Sequence, residues 1–183
     1  MNYGKTLQSK SGKTLFFVKA TQTTTQSDNS IKEILVANET VELLISDSRI
    51  ISMGSQFGHV AIDIDGIVYG RAVPAWDVDN KIHYLYRQQV KMNRDTWGYT
   101  LRVTKKEKET ILAAILKLKA ENATYRLSDN SCSSAMVRAF GETDILVVDP
   151  RWSFGGVLSP SDMMDALNKS SRVIKRTTYP KKK

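Results

Sequence analysis

Alternation and helical stripes divide this chain into a strand-rich first part and a helix-rich second part. Val41 to Ile45 (VELLI) reads as a strand. Further on, Val60, Ile62 and Ile64 alternate with His59, Ala61 and Asp63, the period of a strand with one buried face. Asp65-Gly66 then precedes Ile67-Val68-Tyr69. Asp-Gly between two such runs is a hairpin signal, so 59–64 and 67–71 are expected as antiparallel neighbours. Residues 81–89 (KIHYLYRQQ) and 99–103 (YTLRV) are rich in aromatic and β-branched side chains and read as two more strands.

The period then changes. Ile111, Leu112, Ile115, Leu116 and Leu118 share one helical stripe, and Thr104 with Glu107 forms a capping box, which predicts a helix over about 104–121. A second helix should begin near Ser131 or Cys132 and end at Gly141 as its C-terminal cap. A third starts at Ser159-Pro160 and runs to about Asn168. Val173-Ile174 reads as a last edge strand. Strands followed by helices give an α+β domain with an antiparallel sheet. The polar stretch 21–30 (TQTTTQSDNS) reads as a loop. The expected organisation is an N-terminal extension over 1–30, one domain over 31–176 and a basic tail over 177–183.

Charge changes this picture less than its total suggests. The 183 residues carry a formal charge of +8. Residues 1–20 hold four lysines and no acid, residues 172–183 hold six basic groups and no acid, and the stretch between them is at −2. A nucleic-acid domain usually carries its basic groups on a folded face, so basic ends alone argue weakly for one. No apolar run approaches the roughly 20 residues of a membrane span. The N-terminus has no apolar segment of signal-peptide length and no small-residue cleavage site, so synthesis in the cytoplasm without a Sec signal is expected.

The single cysteine excludes an internal disulfide framework and any Cys-rich metal site. Too few histidines and cysteines are present for zinc, no glycine-rich phosphate loop occurs, and no cofactor is expected. Cys132 follows the polar turn Ser128-Asp129-Asn130-Ser131 and opens a predicted helix. The unpaired N–H groups and dipole at a helix start favour the thiolate, the nucleophilic form. A lone cysteine is more commonly a small buried hydrophobe, so position is its one distinguishing mark. A base for it must be His59, at a strand start, or His83, inside KIHYLYR.

GHVAIDIDGIVYG, followed some sixty residues later by YRLSDNSCSSAMVRAF, resembles the circularly permuted papain-like cysteine hydrolases. These are relatives of the NlpC-type peptidoglycan peptidases and of the lecithin-retinol acyltransferase group, in which a histidine strand precedes a helix opened by the cysteine. The likeness covers about residues 41–170 and is greatest for peptidoglycan amidase toxins delivered by type VI secretion. It implies Cys132 as nucleophile, His59 as base and peptidoglycan peptides as substrate. It also implies a secreted effector acting in the periplasm of target cells, with the secretion apparatus and a cognate immunity protein as partners. Many members carry a second histidine about twelve residues after the first, where this chain has Val68-Tyr69-Gly70-Arg71.

The orienting third group is therefore open. Asp47, just after the strand 41–46, would lie beside His59 if that strand pairs with 59–64, and is favoured over Asp77, which is expected in a loop after the hairpin that could fold back, with His83 and a backbone carbonyl as further candidates. Asn130 either holds the turn before Cys132 or helps an oxyanion site. Trp152, in the glycine-bearing stretch 149–156, is a candidate for substrate contact, while Trp76 and Trp97 read as core or loop anchors. The same fold could instead serve a lipid acyltransferase or thioesterase, or a protein deamidase. A non-enzymatic basic binding module is the reading from another class.

Overall fold

The computed structural model describes residues 38–48, 58–126, 130–141, 143, 145–146 and 158–182, together with the backbone of four N-terminal strands. Those strands, β1 (Lys5–Gln8), β2 (Thr14–Phe17), β3 (Thr21–Thr25) and β4 (Ile31–Leu35), form an antiparallel sheet in sequence order. The expected loop at 21–30 is thus a strand over its first half. Its three consecutive threonines are β-branched, and that preference outweighs their polarity. The hydrogen bonds also place 31–35 with this first sheet, five residues past the boundary expected at 30.

The second sheet has six strands: β5 (Glu39–Ser46), β6 (His59–Ile64), β7 (Ile67–Arg71), β8 (Trp76–Asn80), β9 (Thr96–Val103) and β10 (Val173–Tyr179). Their order is β10-β9-β5-β6-β7-β8, and every neighbouring pair is antiparallel. The helices are α1 (Lys81–Tyr86), which continues into a π-helical turn over Arg87–Lys91, then α2 (Lys105–Glu121), α3 (Cys132–Phe140) and α4 (Pro160–Lys169). The chain is thus α+β with an antiparallel sheet, as its pattern implied. The Asp65-Gly66 turn has φ of 53° and 86°, the paired positive values of a tight hairpin turn.

Two expectations fail around residue 80. Residues 81–89 are helical, because the Asn80 side chain caps the first turn through the His83 N–H at 2.8 Å and Tyr84 alone of α1 is buried. Strand preference of aromatic residues is weak when one side chain per turn meets the core. Asp77, expected in a loop, lies on β8 at the sheet edge. Acidic residues at 77 and 79 hide the strand pattern, and charge on an edge strand also discourages pairing with another chain. At the other end, β10 runs to Tyr179, three residues into the expected tail.

Alternation gives the central sheet two buried faces. Val41, Leu43 and Ile45 of β5 and Val60, Ile62 and Ile64 of β6 join Tyr99, Leu101 and Val103 of β9 under the helices. Ile111 and Ile115 of α2, Met136 and Phe140 of α3 and Met163 and Leu167 of α4 complete that core. The capping boxes at Thr104, Ser131 and Ser159 fix where α2, α3 and α4 begin. The opposite face buries Leu44, Ala61 and Val68 against Tyr84 of α1.

A charged cluster lies on that second face. Glu42 and Asp63 are cross-strand partners, 6% and 8% exposed. The Lys81 ammonium binds the Glu42 carboxylate and lies 2.8 Å from Asp63. The Tyr179 hydroxyl, from β10, donates to Glu42 at 3.1 Å. Two carboxylates side by side would repel, and the inserted ammonium with a neutral donor satisfies both. Gly98 makes the room, since a Cβ there would stand 1.9 Å from Glu42 Oε1. Gly98→Ala should therefore destabilise the chain by about 1–3 kcal/mol, the usual cost of overpacking. Urea unfolding measures it, and an unchanged midpoint would show that Glu42 moves aside freely.

Candidate active site

Ser131, the N-cap of α3, accepts from the Ser134 N–H at 3.3 Å, and Ser134 Oγ accepts from the Ser131 N–H at 2.7 Å. Cys132 is the first residue inside this helix, so its thiol sits at the end where N–H groups are unpaired. The helix end alone is worth about 0.3–1 kcal/mol to an anion. Burial works against it, because Cys132 is only 5% exposed.

The outcome is set by what faces the sulfur. Burial pushes the thiol up, but the hydrogen bond and charge of the His59 imidazole, then the Val60 N–H and the Ser133 hydroxyl, pull it down further, and its pKa ends below the ordinary thiol value. The Ser133 hydroxyl lies 3.9 Å from the sulfur. His59 is the first residue of β6, and the β6–β7 ladder stops at Ala61–Gly70. Thiol and imidazole therefore meet at the open end of the sheet, across 73 residues of sequence.

Gly70 is part of this arrangement. A Cβ at 70 would stand 2.8 Å from His59 Nε2, so glycine is what lets the imidazole lie over β7. The space that a side chain at 70 would need is taken by that imidazole.

A short strap over 123–126 brings Tyr125 to Cys132. The Asn130 amide donates to the Ala123 carbonyl at 2.9 Å and to the Thr124 carbonyl at 2.8 Å, and the backbones of Arg126 and Asn130 exchange hydrogen bonds at 3.3 and 3.0 Å. This clasp sets Tyr125 against Cys132. The Tyr125 hydroxyl donates to the sulfur and also meets the Cys132 N–H. Burial, and then the negative charge of the thiolate, push the Tyr125 hydroxyl up to about 12, so it stays a donor across the physiological range. The Arg71 guanidinium stacks on the Tyr125 ring at 5.4 Å, a contact worth about 0.5–2 kcal/mol.

The other residues singled out in the sequence divide as follows. Asn130 is 7% exposed and spends both amide hydrogens on the strap, so its place is in the turn and not in an oxyanion site. Asp47 follows β5, and its N–H donates to the Asp95 carbonyl at 2.8 Å. The residue opposite His59 is Ser46, so strand alternation puts Asp47 out of phase with the imidazole. His83 is exposed on α1 and pairs with Asp79 at 2.9 Å. Asp77 stands opposite Gly70 in the β7–β8 ladder and therefore shares the face over which the imidazole lies. Its carboxylate is held by Arg87 at 2.7 Å. Trp152 lies outside the described residues. Trp76 and Trp97 are half-buried anchors against the helix-side core.

Sequence reasoning missed Gly70, Arg71 and Tyr125 as parts of the site. Tyr125 lies in the stretch that carried the resemblance, but nothing in its spacing from Cys132 announces a contact made by a folded-back strap. The family model described as the Lnb N-terminal periplasmic domain matches residues 75–170. The chain belongs to this Lnb N-terminal domain family. The matched region runs from the start of β8 through α4, and so holds Asp77, Tyr125 and Cys132 and stops short of His59. No curated protein and no solved structure matches the chain. Among the described residues no helix is long and apolar enough to cross a membrane, and no group of His, Cys, Asp and Glu is placed to hold a metal.

A lowered thiol pKa means that thiolate persists to lower pH, so Cys132 should react with iodoacetamide at pH 6, where an ordinary thiol is almost wholly protonated. Gly70→Ala should displace the imidazole and return labelling to alkaline pH while circular dichroism stays unchanged. Wild-type labelling confined to pH above 8 would contradict the pair.

Proposed function

We propose that this chain is a cysteine acyl-transfer enzyme of the bacterial envelope with a permuted papain-like fold. One observation carries the reading: a cysteine at a helix start, hydrogen-bonded to the histidine of a preceding strand. That order, histidine strand first and cysteine helix second, is the order of the permuted hydrolases. The description of the Lnb N-terminal domain as periplasmic supports action in that compartment.

The residues supply each step. His59 takes the thiol proton, and the Cys132 thiolate attacks the acyl carbonyl. Negative charge on the carbonyl oxygen then develops near the Cys132 N–H and the Tyr125 hydroxyl, the two donors that already meet there. Collapse transfers the acyl group to sulfur, and His59 returns its proton to the leaving amine or alcohol. Water, or a second amine or alcohol, deprotonated by His59, takes the acyl group and frees the thiolate. Asp77 is the better-placed carboxylate for orienting His59, because it shares a face with Gly70 and the imidazole, whereas Asp47 is out of phase.

Peptide amides of peptidoglycan are the substrate that the resemblance implies, and a periplasmic setting contains them. A toxin role, with an immunity protein and a secretion apparatus as partners, belongs to this reading. One observation favours lipid acyl groups as a second: the thiol belongs to the apolar core cluster with Val60, Ala135 and Met136, a surrounding suited to an acyl chain.

Incubation with purified sacculi, read by chromatography and mass spectrometry of released peptides, should show cleavage by the wild type. Cys132→Ala and His59→Ala should lower it at least about 100-fold, the span of general-base catalysis. Asp77→Asn should reduce kcat more than Asp47→Asn. Intact sacculi, with Cys132 gaining an acyl mass from a phospholipid, would move the substrate to the lipid class. No acyl mass from either source would refute the enzyme.

A further inference from the structure

Arg71 is among the largest fully buried side chains, at 1% exposure, and it carries a charge. Its guanidinium donates to the Ala72 carbonyl, to the Pro74 carbonyl at 3.2 Å and to the Ala123 carbonyl at 2.8 Å. These acceptors are neutral. They satisfy its N–H groups, and among the described residues no carboxylate bridges to it. The ionisable group whose charge acts on it is the Tyr125 hydroxyl, which in turn meets Cys132.

The contacts also show how Arg71 acts at a distance from the sulfur. Its guanidinium and the Asn130 amide grip the same Ala123 carbonyl, so the strap is held from β7 as well as from the turn before α3. The same guanidinium lies over the Tyr125 ring. A planar fork can bind carbonyls and stack on a ring together, which a lysine ammonium cannot do. We propose that Arg71 is a positioning residue of the Cys132 site, which holds the strap and the Tyr125 ring so that the Tyr125 hydroxyl stays on the sulfur and the thiolate is favoured. The inference rests on the reading of Cys132 as a nucleophile. Among the described residues the groups that face the sulfur are His59 and the Val60 N–H from β6, Tyr125 from the strap and Ser133 from α3, with Arg71 of β7 behind Tyr125.

The test is the pH profile of Cys132 alkylation by iodoacetamide, with thermal unfolding and near-ultraviolet dichroism as checks of the fold. Arg71→Met should raise the midpoint by about one pH unit, a tenfold loss of thiolate below it. Tyr125→Phe, which keeps the ring and loses the hydroxyl, should raise it similarly, and Arg71→Lys should fall between wild type and Tyr125→Phe. A folded Arg71→Met with the wild-type midpoint overturns the proposal. If Arg71→Met does not fold, Arg71→Lys decides, because it keeps the charge and loses the fork, and a wild-type midpoint there overturns the proposal equally. Alkylation needs no substrate, so a wild type that neither cleaves sacculi nor takes up lipid acyl groups refutes the enzyme reading and leaves this result standing.

Discussion

The Ala123 carbonyl receives two donors, one from the turn before α3 and one from the end of β7. That double grip, with the Asn130–Thr124 bond and the Arg126–Asn130 bridge, holds the strap that carries Tyr125 to Cys132. The sheet contributes His59 and the opening at Gly70, and α3 contributes the cysteine and its helix end. The shared carbonyl is where these parts are tied together. It is a backbone group, so no substitution at residue 123 short of proline-like distortion removes it, and its strength is set from the two donors.

Two kinds of burial work against each other here. Removing Cys132 from water disfavours the thiolate, and removing Arg71 from water disfavours its guanidinium. Around the sulfur that cost is met by the His59 imidazole, the Val60 N–H and the Ser133 hydroxyl, and around Arg71 by three neutral carbonyls. On the far face of the sheet the balance is ionic, where Lys81 lies between Glu42 and Asp63.

Much of the frame was legible in the sequence. Period-2 alternation and Asp65-Gly66 located the hairpin, and capping residues located α2, α3 and α4 almost to the residue. Both failures in the central sheet came from segments whose pattern is overruled by contacts. KIHYLYRQQ has strand-like residues but buries Tyr84 and Gln88, four apart as on one side of a helix, and WDVDN looks like a loop because its strand lies at an edge that carries acids. At the site, Cys132 and His59 could be named because few residues of either type exist. The third group could not, because the strand phase that separates Asp47 from the His59 side chain is not readable at a strand end without the partner strand. Gly70 was invisible for a related reason: its function is the space that it leaves.

The placement of β10 has a consequence for how the fold is reached. This strand, Val173–Tyr179, forms one edge of the sheet beside β9, and its Tyr179 hydroxyl completes the Glu42 cluster. The segment after it is fastened too, with the Lys181 N–H on Asp95 at 2.8 Å and the Lys182 N–H on the Gln89 carbonyl at 3.0 Å. Glu42 and Tyr179 are 137 residues apart. Closing so long a loop is slow, and contacts of this separation form late. Residues up to 172 hold both Cys132 and His59 but leave β9 as an open sheet edge and Glu42 without its Tyr179 donor. Pairing of 173–179 with β9 is therefore the step that closes this edge of the sheet and completes the cluster on its far face.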